Sequence, residues 1–154
     1  VGYESWGSFC SGGRYDELAT DGKTTYPGVG ISIGLSRLLG LLLGKGLVGA
    51  TRKSPSAVLV AVTDEGSRPR SVAVATALRA RGIPCEVAPA AAKFGKQIRF
   101  AERRGIPYVW FPGASDSGGD QVKDIRSGEQ VDAAAESWTC PVEDLQPRVV
   151  ALGE

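Results

Sequence analysis

Ala57-Val58-Leu59-Val60-Ala61-Val62 is a run of six apolar residues without a break. A strand with one wet face alternates apolar and polar residues, so this run predicts a strand buried on both sides. The residues after it supply the covering layers. Ser67 is a candidate N-cap and Pro69 falls in the first turn, which predicts a helix to about Arg81, stopped by Gly82. Ile83 to Val87 reads as a second strand. A second helix follows over about Phe94 to Arg104, with Phe94, Ile98 and Ala101 on one face and Gly105 closing it. Ile106 to Phe111 reads as a third strand. Gln121 to Ile125 and Glu129 to Asp132 read as a hairpin around Arg126-Ser127-Gly128. The stretch Asp132 to Glu136 favours no single pattern. Pro141 suits the first position of a last helical segment, which Pro147 ends or kinks. The order β-α-β-α-β, then hairpin and helix, predicts a three-layer α/β domain with a mixed sheet over residues 54–154.

Upstream of this domain the composition changes. Twelve of the 21 glycines lie in residues 1–50, which points to a unit built under a different constraint. The stretch Gly44 to Ser56 is small and polar and ends in proline, so it reads as a linker, with a boundary near residue 53. Within the first unit, Ser8 to Ser11 reads as a short strand that runs into Gly12-Gly13. Asp16 to Ala19 reads as a brief helical turn, and Thr20 to Pro27 as a loop. Val29 to Ile33 reads as a strand. Leu35, Leu38, Leu39, Leu42 and Leu43 then fall at i, i+3, i+4, i+7 and i+8, the spacing of a core-facing helix.

Inventory excludes several chemistries. The chain has no histidine and three cysteines, Cys10, Cys85 and Cys140, none in a CxxC pair. Neither a Cys/His zinc site nor a Ser-His-Asp or Cys-His arrangement can be built from it, and no metal ligands are assigned. The cysteines read as small buried apolar residues in a reducing, cytoplasmic setting. A formal net charge of +1 gives no global attraction to nucleic acid, so any such binding needs a local patch. The segment Leu35 to Val48 is interrupted by Arg37 and Lys45 and is too short to span a bilayer, so no membrane is expected as a partner. No methionine is present, and Val1 opens in the middle of what reads as a strand. Initiator removal would explain a missing first methionine; a cut fragment explains it equally well and explains the abrupt start too.

Three constellations carry possible chemistry. Gly28, Gly30 and Gly34 give GxGxxxG rather than a dinucleotide fingerprint, and Arg37 follows in the first turn of an apolar helix. It is either a structural arginine or a phosphate or adenine contact. In Gly12-Gly13-Arg14-Tyr15-Asp16, strand geometry puts Arg14 and Asp16 on one face, as a pair, and Tyr15 on the other, open to a ligand. On the second helix of the α/β domain, Lys93, Lys96, Arg99, Arg103 and Arg104 face one acid, Glu102. Lys96, Arg99 and Arg103 form one stripe, either a solvated face or a contact for a phosphate backbone. Tyr108, Trp110 and Phe111 add aromatics at the end of the next strand. Most suit a core, and one exposed ring could stack on a base.

Taken together and in order, these residues resemble the histidyl-tRNA synthetases, which are class II aminoacyl-tRNA synthetases. GSFCSGGRYDELA (residues 7–19) looks like the family's GGRYD segment, and PGVGISIGLSRL (27–38) looks like its motif 3. KFGKQIRFAERRGIPYVWFPG (93–113), with VKDIRSGEQV (122–131) after it, is similar to the family's anticodon-binding domain. The resemblance implies a remnant of an antiparallel-sheet catalytic domain over residues 1–53 and an α/β anticodon-binding domain over 54–154. It implies that Arg37 is the catalytic motif 3 arginine on the ATP phosphates, with Gly34 near the ATP end. Tyr15, Gly30 and Ser32 would line the histidine pocket. Lys93, Lys96, Arg99 and Arg103 would contact tRNA(His). ATP, with Mg2+, and L-histidine would be substrates of an intact homodimeric enzyme that makes histidyl-tRNA. None would be held by these residues alone.

The family's motifs 1 and 2 and its RGLDYYTG-like segment do not occur in this sequence. The expectation is therefore that the chain alone is inactive and retains anticodon binding. A non-catalytic regulatory module that reuses the synthetase fold is the alternative. A free-standing nucleotide-binding α/β domain is disfavoured, because Thr63-Asp64-Glu65-Gly66 is acidic where a phosphate would sit.

Overall fold

A computed structural model describes residues 3–113 and 118–152; the start at Val1 lies outside them. The chain divides into two compact units, residues 1–49 with 150–154, and residues 50–149.

The second unit is built around β4 (Val58–Val60), which pairs in parallel with β5 (Cys85–Val87) on one edge and β6 (Tyr108–Phe111) on the other. The hairpin strands β7 (Asp120–Asp124) and β8 (Gln130–Ala133) extend the sheet antiparallel beyond β6, giving the order β5-β4-β6-β7-β8. Helix α2 (Arg68–Ala80) links β4 to β5, and α3 (Phe94–Arg104) links β5 to β6. The two crossovers run to opposite edges of β4, so a shared right-handed sense puts the helices on opposite faces. Side-chain alternation follows suit. Val58, Val60, Tyr108, Trp110 and Val122 pack with Val74, Ala75 and Leu78 of α2. Leu59, Val109 and Phe111 pack with Ala101 of α3. The three-layer mixed-sheet architecture expected from the sequence is present. Gly105, at φ 71°, ends α3 in the left-handed region, as its position predicted.

Local differences have local causes. Ser67 caps α2 by position, but its hydroxyl donates backwards to the Asp64 carbonyl at 2.8 Å while the Asp64 carboxylate accepts from the Ser67 N–H at 2.9 Å. Tyr108, Trp110 and Phe111 are all buried, so none is the exposed ring the sequence allowed for. The ring that does reach solvent is Phe94, 41% exposed and edge-on to Phe111 at 4.7 Å. After Pro141, only the single turn α4 (Val142–Leu145) forms before Pro147.

Arginines tie the loops of this unit. Arg126 donates to Asp124 Oδ2 at 2.7 Å, to both carboxylate oxygens of Asp144 at 2.8 Å and to the Tyr108 hydroxyl at 2.8 Å. Tyr108 in turn donates to Asp144 Oδ2 at 2.8 Å. Arg52 donates to the carbonyls of Asp144 and Leu145, which fixes α4 from the other side. Trp110 Nε1 donates to Asp120, whose carboxylate also takes Arg70 at 2.6 Å.

In the first unit, β1 (Cys10–Thr20) and β2 (Thr25–Ile33) form a long antiparallel ladder, followed by α1 (Leu35–Gly44). The expected helical turn at Asp16 to Ala19 is strand instead, and the loop shrinks to Asp21–Thr24. The ladder registers Tyr15 with Gly28 and then Ala19 with Tyr26, so Asp16 to Leu18 bulge opposite Pro27. Pro27 has no N–H to give the ladder, which makes this the place for extra residues. The expected linker contains β3 (Val48–Ala50), which pairs with the C-terminal β9 (Val149–Ala151); neither strand was expected from the sequence. The leucines of α1 do not form a core stripe: Leu35, Leu39 and Leu43 are exposed and Leu41 is the buried one. Val29, Ile31 and Ile33 are also exposed, at 66% or more.

Hydrogen bonds from Arg126 hold the Asp124 and Asp144 carboxyls below their ordinary value of 3.8. A depressed carboxyl stabilises the fold fully above its unfolded value and ceases to as pH falls through the folded one. Stability is therefore expected to fall as the solution is acidified below about pH 4, and Arg126→Gln to weaken that dependence. At neutral pH the same variant leaves Asp144 poorly paired. It is expected to lose about 2 kcal/mol in urea unfolding, discounted for the half-exposed arginine.

Candidate functional site

Pairing in the β1–β2 ladder sorts side chains onto two faces. Partners share a face, so Ser11, Gly13 and Tyr15 lie with Ser32, Gly30 and Gly28. The other face carries Cys10, Gly12 and Arg14 with Ile33, Ile31 and Val29. One side is thus small and polar with one aromatic ring, and the other is largely apolar. Arg14 is spent within the apolar face, donating to Asp16 at 2.6 Å, the structural pair read as one option from spacing.

The polar face collects the residues expected to meet histidine. A methyl group placed on Gly30 would sit 3.1 Å from Cε2 of Tyr15, so the ring lies over the Gly30 backbone. Ser32 and Ser11 bring their hydroxyls within 3.3 Å of each other. Further along, Ser32, Gly34 and Arg37 line an open groove of about 620 Å³ with Ser8 to Ser11. Gly34 opens α1 with no side-chain cap, and its N–H donates to the Phe9 carbonyl at 2.6 Å. Arg37 Nη1 donates to the Ser8 carbonyl at 2.7 Å, which anchors the guanidinium. Among the described residues, no carboxylate lines this groove. The arrangement is one wall that presents free helix N–H groups and a positive charge to an anion. Tyr15 lies along the ladder outside this groove. Among the described residues, no group of three or more His, Cys, Asp or Glu comes together to hold a metal ion.

The second candidate surface is α3. Lys93 precedes the helix, and Lys96, Arg99 and Arg103 are exposed along it. Among the described residues none of the four forms an ion pair, and Arg99 bonds only to the Gly95 carbonyl. Arg104 is different: it pairs with Glu86 at 3.1 Å and stacks over the Phe100 ring at 5.5 Å. Among the described residues the stripe of Lys96, Arg99 and Arg103, with Lys93 just before the helix, is thus without ion pairs.

Gln97 is the residue the sequence reading passed over. Its Oε1 accepts from the Val62 N–H at 2.9 Å, and its Nε2 donates to the carbonyls of Val62 and Ala92. This buried amide pins the stripe's helix to the end of β4. The available signal was its place three residues after Phe94 and four before Ala101, on the face that packs.

A family model for the anticodon binding domain matches residues 56–144. The chain belongs to the anticodon-binding-domain family. The match falls on the sheet and the helix that carries the stripe. Two curated relatives are similar over nearly all of the chain. The histidine–tRNA ligase of Cutibacterium acnes is 60% identical over 153 residues, 97% of this chain and 34% of that protein. That of Micrococcus luteus is 53% identical over 151 residues, 97% of this chain and 33% of that protein. The solved histidyl-tRNA synthetase from Nostoc sp. PCC 7120 superimposes with a TM-score of 0.54 at 37% identity, over 88% of this chain and 32% of that one. The chain spans about a third of the length of the curated relatives it matches. No helix among the described residues is long and apolar enough to cross a membrane.

The Tyr15–Gly30 packing is directly testable. Gly30→Ala must push the ring away by a few tenths of an ångström, so the Tyr15 ring resonances are expected to shift in NMR spectra while those of Trp110 stay in place.

Proposed function

We propose that this chain is the anticodon-binding portion of a histidine–tRNA ligase, with one wall of its ATP and histidine site. The observation that carries the reading is the set of cations on and just before α3, Lys93, Lys96, Arg99 and Arg103, which form no ion pair among the described residues and lie within the match to the anticodon-binding family. Similarity to histidine–tRNA ligases over 97% of the chain supports the choice of tRNA(His). Residues 54–154 would hold the anticodon stem-loop, with Lys93, Lys96, Arg99 and Arg103 on its phosphates. Residues 1–53 would supply the catalytic-domain wall.

On that wall, Arg37 would neutralise ATP phosphate charge while the histidine carboxylate attacks the α-phosphorus, breaking the α–β phosphoanhydride bond and releasing diphosphate to leave the aminoacyl-adenylate, and Gly34 would lie at the ATP end. Tyr15, Gly30 and Ser32 would line the histidine pocket, where the missing side chain at Gly30 leaves room for the tyrosine ring. This chemistry asks for placement and charge neutralisation rather than a protein nucleophile. Mg2+, the homodimer and a cytoplasmic location belong to the whole enzyme in this reading.

Two measurements test it. Replacing Lys96, Arg99 and Arg103 together by alanine is expected to weaken tRNA(His) binding about tenfold or more. It should also flatten the log–log salt dependence by about 2, at roughly 0.7 per lost phosphate contact. Unchanged binding and slope would sink the assignment of α3. The purified 154-residue polypeptide is expected to show no histidine-dependent ATP–pyrophosphate exchange, and detectable exchange would refute the single-wall reading of residues 1–53.

A further inference from the structure

Residues 44–56 read in sequence as a linker, yet the structure gives residues 47–52 of it a partner. The partner is the C-terminal segment 144–152. Leu152 N–H donates to the Leu47 carbonyl at 3.1 Å, and Thr51 N–H to the Arg148 carbonyl at 3.0 Å. One strand thus ascends as the other descends, so β3 and β9 run antiparallel. Arg148 N–H also donates to the Thr51 hydroxyl at 3.0 Å. Counting inward from these two bonds puts Gly49 opposite Val150. A methyl group placed on Gly49 would come within 3.1 Å of the Leu152 side chain, which therefore lies against the Gly49 backbone.

The two ends of this clasp are held differently. At one end Arg52 spends its guanidinium on the Asp144 and Leu145 carbonyls, which close α4, and on the Ser54 and Pro55 carbonyls of its own segment. At the other end stands only the ribbon of β3 and β9, three residues in each strand. Leu47, Val149 and Leu152 in and beside it are exposed. Two short strands with little apolar burial are marginal in water, so this end opens at far lower cost than the core.

Its place along the chain gives that opening a consequence. The chain leaves the first unit at Gly49 and returns to it at Val150. Both passages lie in the ribbon, opposite each other. A lone strand there swivels about its backbone bonds, most freely at Gly49. A paired strand has the same dihedrals fixed by its ladder.

We infer that the C-terminal strand is a strap on the linker: closed, it makes the connection between the units a two-stranded ribbon, and open, it leaves a single swivelling strand. The inference stands on this geometry and does not depend on the assignment of α3.

Hydrogen–deuterium exchange and limited trypsin digestion test it on the 154-residue chain and on two variants, deletion of residues 149–154 and Leu152→Ser. Trypsin has sites in the linker at Lys45, Arg52 and Lys53. In the parent, the Gly49 to Thr51 amides are expected to exchange slowly. The deletion is expected to speed their exchange and the linker cleavage by about tenfold or more, with Leu152→Ser between it and the parent. The Val58 to Val60 amides of β4 are expected to keep the parent's protection in both variants. Equal exchange and cleavage in parent and deletion would overturn the strap. Faster exchange of β4 on deletion would also overturn it, by making the C-terminal strand part of the second unit's core.

Discussion

Strand β4 has no free side. Both of its edges are hydrogen-bonded to parallel neighbours, and both faces are covered, so Val58, Leu59 and Val60 are fully buried. A three-residue strand in that position must carry apolar side chains on each face, because a polar one would lose its water without gaining a partner. The rest of the second unit follows from this demand. One helix is needed per face, and two crossovers of the same hand deliver them.

The basic residues divide into two groups by how they spend their donors. Arg52, Arg79, Arg81 and Arg126 are turned inward onto backbone carbonyls or carboxylates, holding loops that have no ladder of their own. Among the described residues Lys93, Lys96 and Arg103 have no such duties, and Arg99 bonds only to the Gly95 carbonyl of its own helix. In a chain of net charge +1, a local field comes from this sorting rather than from composition. A charge left free on a rigid helix keeps its position and its hydration until an anion displaces the water.

The succession of strands and the two long helices of the second unit were legible because their signals are local: an unbroken apolar run, Pro69 near a helix start, Gly105 at a helix end. The pairing of β3 with β9 was not, since a three-residue strand carries no periodicity and its partner lies about a hundred residues away. Asp16 to Ala19 misled for a similar reason. Asp16 has the chemistry of a helix cap, and only the register against Pro27 shows that these residues bulge from a strand. In the candidate site, Arg37, Tyr15 and the cations of α3 could be singled out by residue type. Gln97 could not be given its role, because an amide that satisfies two backbone segments looks in sequence like any surface glutamine.

The exposed face of the β1–β2 ladder has a further consequence. Val29, Ile31 and Ile33 stand in a row on a ribbon of two strands, each with an outer edge that carries backbone donors and acceptors not taken by another strand. An apolar stripe beside an open edge is a template for strand addition by any other extended chain. To a chaperone that surveys nascent proteins, these nine residues of β2 carry the signature of unfinished folding.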